Sequence, residues 1–151
     1  MKKDRVYNGF IAGFFASIVP TVINNGAIAL DLSTFLWSDY MGLFIMGQEP
    51  DGFIQTLFFF AAMYVFMGLL GAIFSFILPY ISSQHIFFKG VLFGITTWYI
   101  LLSIPYILQI SGIDHAPFKT VVTHMLSVSL WSIAMVLILK KIDKKIEDIN
   151  V

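Results

Sequence analysis

One constellation of side chains could move protons or hold divalent metal: Asp39, Glu49, Asp51, Asp114, His115 and His124, which the expected topology gathers on the outer face. Carboxylates and imidazoles act as general acids and bases, and the same groups ligate metals. Their spacing matches no ligand pattern. No two histidines stand four apart, no H-E-x-x-H occurs, and no Ser sits in a nucleophile elbow. The chain has no Cys, which excludes disulfides, thiolate chemistry and iron–sulfur clusters. A Gly-rich phosphate loop and a Rossmann signature are also missing, so nucleotide-driven chemistry is not expected. We assign no catalytic residue, no metal site and no cofactor from the sequence, and the balance leans against an enzyme. The plain account of the acids is that short outer loops carry them because lysines are kept on the other side.

A second set of polar residues lies inside apolar runs: Asn24 and Asn25, Thr96 and Thr97, and again His124. An imidazole within a membrane span is costly and by default suggests function. Thr120, Ser127 and Trp131 share its helical face, so the competing account is an interhelical hydrogen bond, with Asn24 or Asn25 at similar depth as partner. Thr hydroxyls bond back to their own helix and say little alone. Together Asn24, Thr96, Thr97 and His124 form the candidate pathway of a small transporter or channel. Against it, no span carries the Asp, Glu, Lys or Arg that pumps and ion-coupled carriers place near mid-membrane.

The elements that must position these residues are membrane helices. Of 151 residues, 58% are hydrophobic and only 12% charged, half the charged share of a soluble domain, so the bilayer is the expected solvent. Net charge is zero, which gives no argument for a nucleic-acid partner. The length allows at most about five spans of roughly 20 residues, with little room for a separate soluble domain. The expected fold class is all-α: a single polytopic membrane domain over residues 1–151, with spans at about 7–30, 53–78, 86–110 and 118–139 and a cytoplasmic tail at 140–151. Lys2, Lys3 and Arg5 before an apolar run, with Ala27-Ile28-Ala29 beyond it, imitate a cleaved signal; the run is long enough to span, so an uncleaved first helix is expected.

Small residues stripe the spans. Gly9, Gly13 and Ser17 stand four apart in the first, where Pro20 should introduce a kink. Gly68, Gly71, Ala72 and Ser75 form a small-residue face in the second, and Gly90 and Gly94 open the third. Such stripes let helices approach closely, within the chain or in a homo-oligomer or larger membrane complex.

Between the first two spans lies DLSTFLWSDYMGLFIMGQEPDG, Asp31 to Gly52, acidic yet rich in aromatic residues. A helix over about 33–47 is predicted, with Ser33 as N-cap, Gly47 as C-terminal stop and Pro50 beyond. Leu36, Trp37, Tyr40, Met41, Leu43 and Phe44 share one side; Thr34, Ser38, Asp39 and Gly42 share the other. It is short for a span and should lie on the membrane surface or dip in as a re-entrant segment, with Asp39 toward the bundle mouth or water. Lys2, Lys3, Arg5, Lys89 and the tail lysines Lys140, Lys141, Lys144 and Lys145 fall on one side and only Lys119 on the other, so both termini are expected in the cytoplasm.

With FLWSDYMGLFIMGQEP, Phe35 to Pro50, in view, the chain resembles the small YqhR-like four-span membrane proteins of unknown function from spore-forming Gram-positive bacteria. The matching features are Gly47 with Pro50, GLLGAIFSFILP at Gly68 to Pro79, and Lys89, Gly90, Gly94, Trp98 and Tyr99. The resemblance implies this topology and a bacterial plasma membrane, and supplies no activity. The expected function is a non-enzymatic accessory or assembly subunit packing through small-residue faces among membrane lipids. A transporter or channel is the alternative, and an outer-face enzyme or metal site the third reading.

Overall fold

In the computed structural model, residues 4–81, 85–109 and 116–149 are described, with side chains through Asp143. Every regular element among them is helical: α1 (Arg5–Ala16), α2 (Ile18–Ala29), α3 (Trp37–Met46), α4 (Gly52–Ile77), α5 (Ile86–Leu108) and α6 (Phe118–Ile149), with one 3-10 turn, Leu78–Ile81, extending α4. Four stretches are long and apolar enough to cross a membrane: Arg5–Ala29, Gly52–Ile81, Ile86–Leu108 and Phe118–Asp143. The protein is therefore an all-α, multi-pass membrane protein.

The first span is α1 and α2 in series, broken at Ser17. Pro20 has no N–H, and its ring crowds the carbonyl four residues earlier, so the ladder cannot continue unbroken. The N–H of Ser17 turns back to Phe14 and Phe15, leaving the Gly13 carbonyl without its helical donor. Two side chains replace it: Ser17 Oγ at 2.9 Å and Trp131 Nε1 at 3.0 Å.

Close packing follows from the small residues. A Cβ added to Gly9 would fall on the Gly71 carbonyl, one on Gly13 on the Met67 carbonyl, and one on Gly71 on the Gly9 carbonyl. At Gly68 it would meet the Phe10 ring at 2.7 Å. Here α1 and α4 touch backbone to backbone, with Ala72 and Ser75 in the same seam. On the other side, Gly90 and Gly94 seat α5 on α6, against Val136 and Ser132. The stripes thus build the inside of the monomer, so the docking faces expected of Gly9, Gly13, Gly71, Gly90 and Gly94 are not outward surfaces.

Helix α6 is the central post. It packs against α1, α2 and α5, and its Val128, Trp131, Met135 and Val136 are fully enclosed. Asn8 Nδ2 donates to Asp143 Oδ1 at 3.2 Å, and the Lys140 ammonium stands 5.0 Å over the Phe87 ring, so the starts of α1 and α5 and the end of α6 share one end of the bundle. Helix α4 packs on α1 and α3, while α4 and α5, though consecutive, scarcely approach each other.

Candidate functional site

The stretch Asp31–Gly52 enters the bundle. Lys119 Nζ reaches the backbone carbonyl of Asp31 at 2.6 Å and its carboxylate at 2.8 Å. Next, the Thr34 N–H donates to Thr120 Oγ1 at 3.0 Å, and Thr123 Oγ1 donates to the Leu32 carbonyl at 3.1 Å. His124 Nε2 lies 3.3 Å from the Phe35 carbonyl, and Trp37 Nε1 donates to Ser127 Oγ at 3.4 Å. From Lys119 to Ser127 is eight residues, so the strap descends about 12 Å beside α6 before α3 begins. Non-helical backbone at membrane depth persists only where protein groups satisfy its amides and carbonyls. The polar stripe of α6 does that here.

This corrects the expected helix over 33–47. Ser33 is no N-cap: its hydroxyl donates to the Phe35 carbonyl at 3.0 Å, and the helix starts at Trp37 because residues before it are committed to α6. Asp39 is half-buried, and its carboxylate is engaged at the start of its own helix. Its carboxylate accepts the Leu36 N–H at 2.8 Å, three residues back, which is the reciprocal half of a capping box. The two-faced pattern also fails, since Ser38 and Gly42 are buried with Trp37, Tyr40 and Leu43, whereas Phe44 is 44% exposed. Gly47 does end the helix, at φ +73°, and Pro50 folds back over Gly42.

His124 is enclosed between two rings, with Trp37 stacked at 4.5 Å and Phe35 edge-on at 5.1 Å. The Phe35 carbonyl can only accept, so Nε2 carries the proton, and Nδ1 is left without a partner. Its expected partners are elsewhere. Asn25 is exposed and donates to the Thr21 carbonyl of its own helix at 2.8 Å. Asn24 is 1% exposed, and neither atom of its amide is bonded. Register places it level with His124, midway between the Gly13–Trp131 and Asp31–Lys119 pairings, yet the histidine turns to the strap instead.

The remaining candidates do not gather. Thr96 is exposed, whereas Thr97 is buried on the adjacent face of α5. Glu49 and Asp51 are exposed in the loop joining α3 to α4, where the Asp51 backbone N–H donates to Gln55 Oε1. Asp114 and His115 lie outside the described residues. Among the described residues no three His, Asp or Glu side chains converge as a metal site would require.

What the fold does create is a cleft. Held apart by α3, helices α4 and α5 leave a cavity of about 390 Å³ between them. Its lining is Phe44 and Ile45 from α3, Phe66 and Leu70 from α4, and Thr97, Ile100, Leu101 and Ile104 from α5, with Tyr40 and Met41 at its back. Ile45 and Ile100 are 58% and 51% exposed, so the cleft opens sideways. It is bridged on one side by Tyr40, whose hydroxyl donates to the Leu101 carbonyl, and toward the Lys89 end by the Phe74 and Phe93 rings, 5.3 Å apart. Leu101 is available because Pro105, four residues on, brings no N–H to it. Sequence reasoning missed the cleft, since its lining residues look like ordinary lipid-facing filler. Pro105 and Tyr40 were the available signal.

Comparison of the chain with protein-family models, with curated proteins and with solved structures finds no match.

Proposed function

We propose that this protein is a non-enzymatic accessory membrane protein that holds an apolar partner in the lateral cleft between α3, α4 and α5. The cleft itself carries the reading: a cavity of about 390 Å³ is within the range of about 300–1,000 Å³ typical of binding sites. The sparse cover of α5 adds support, with 17% of its most apolar stretch buried against 39% in each of the other spans. The accessory role expected from the sequence is kept, but its surface moves from the small-residue stripes, which are used internally, to this side. A conduit finds no support in the geometry, because Thr96 is exposed, Thr97 faces an apolar cleft and His124 is enclosed by rings.

The proposal includes cytoplasmic termini, supported by the basic residues at one end, and a bacterial plasma membrane with YqhR-like kinship, for which the support is the resemblance at Phe35 to Pro50 and Gly68 to Pro79. To test it, a photoreactive residue is placed at Ile104 and, as reference, at the exposed Leu92. Ile104 should form adducts several-fold more efficiently, and Leu70→Trp should remove the excess. Equal yields at the two positions would sink the reading.

A further inference from the structure

We infer that the strap, residues 31–36, is a latch with two positions on α6, and that His124 is the side chain the two positions share. With the strap on, His124 is bonded to the Phe35 carbonyl; with the strap off, it is passed to the Asn24 amide. The latch is built from the strap, α2 and α6, and holds whether or not the lateral cleft takes a partner.

Two buried side chains of complementary chemistry go unused. Asn24 is 1% exposed and His124 is 0% exposed. Among the described residues neither amide atom of Asn24 nor Nδ1 of His124 has a partner, and all three atoms are closed to solvent, so water does not meet their need either. An amide brings both donor and acceptor, and so does a neutral imidazole. The helix faces that carry them meet. Asn24 shares the buried side of α2 with Pro20 and Ala27, and α6 is the helix that α2 packs against. His124 stands two turns before Trp131 and therefore on the same face of α6, the face from which Trp131 reaches Gly13 in the first span.

The strap keeps the two apart. Phe35 lies edge-on to the imidazole at 5.1 Å, and its carbonyl takes the Nε2–H at 3.3 Å. Helix α3 is held separately, by Tyr40 at Leu101, so the strap can lift without it. Along the strap, side chains of α6 make the bonds: Lys119, Thr120, Thr123 and His124. The outer tie is the Lys119–Asp31 pair, with side chains 41% and 92% exposed, and pairs so exposed hold weakly. Asp31 itself has left-handed backbone at φ +54°, a bend after α2 at which the strap can pivot. The unpaired amide penalises the strap-on position, and transfer of the imidazole removes that penalty once the strap's own bonds are given up.

The test uses the full chain in lipid nanodiscs with spin labels on Leu32→Cys, at a position 49% exposed, and Leu126→Cys, at one 52% exposed on α6. Thr120→Val with Thr123→Val should add a second, longer distance to the native one. Adding Asn24→Leu should cut the share of that second distance at least threefold, because the strap-off position then has no amide to offer the imidazole. A single distance in every background overturns the inference. So does a second distance whose share is the same with Asn24→Leu, since the strap then frees itself without passing His124 on. Should the double threonine variant fail to fold, amide exchange in the otherwise native chain reads the same equilibrium. Asn24→Leu should slow exchange at Thr34, whose N–H is held by Thr120, at least threefold relative to Met135 in the core of α6. Equal slowing at the two positions, or none, overturns the inference.

Discussion

Tyr40 donates its hydroxyl to the carbonyl of Leu101, an acceptor left without its helical donor because Pro105 has no N–H. Helix α3 is thereby tied to α5 at the back of the cleft. Trp131 plays the same part at the other break, giving its Nε1–H to the Gly13 carbonyl where α1 ends.

The two substitutions Tyr40→Phe and Pro105→Ala should therefore be coupled. In the native background Tyr40→Phe strands the Leu101 carbonyl and should cost about 1–3 kcal/mol. With Pro105→Ala, the N–H of residue 105 supplies the missing donor and the cost should shrink by at least half. A double-mutant cycle on unfolding in detergent measures this coupling; additive effects would contradict the assignment.

Release of the strap should be visible by thiol labelling, because the chain has no native Cys. Ser33→Cys, at a position 4% exposed, should react slowly with an aqueous maleimide. Adding Thr120→Val and Thr123→Val removes the hydroxyls that hold Leu32 and Thr34, and the labelling rate should rise at least tenfold. An unchanged rate would mean that the contacts of Lys119, His124 and Ser127 hold the strap without the two threonines.

Asp39→Ala tests a local role. Loss of its bond to the Leu36 N–H should cost about 0.5–2 kcal/mol, as for other helix caps. Membrane insertion should be normal, and hydrogen exchange should quicken in the first turn of α3. Protection unchanged at Trp37 and Ser38 would count against the cap.

Glycines should divide by contact. Gly71→Val puts side-chain atoms where the Gly9 carbonyl lies and should cost about 1–3 kcal/mol or more by overpacking. Gly26 has nothing within 4 Å of an added Cβ, so Gly26→Ala should be neutral or stabilising by up to about 1 kcal/mol. Thermal unfolding of the two variants side by side is sufficient.

Asn24 has a buried amide with no partner. An unpaired buried polar group costs about 1–3 kcal/mol, so Asn24→Leu should leave stability unchanged or raise it. A marked loss of stability would reveal a bound water or other guest at the amide.

The sequence alone determined the class, the spans and the breaks, because these depend on local properties: apolar runs long enough for a bilayer, Pro20 without an N–H, and Gly47 suited to a left-handed stop. Tertiary structure decided what the polar residues do. Thr120, Thr123, His124 and Ser127 are legible as a stripe, but their partners lie about ninety residues away, in the irregular strap and at the first residue of α3, and nothing in a helical period says which distant group a side chain will meet. The same holds for the glycine stripes, which permit close approach to any helix and are used here within one chain. The cleft is further still from the sequence. It exists because α3, strapped to α6, stands between α4 and α5, and such a gap belongs to the arrangement of three helices rather than to any residue in them.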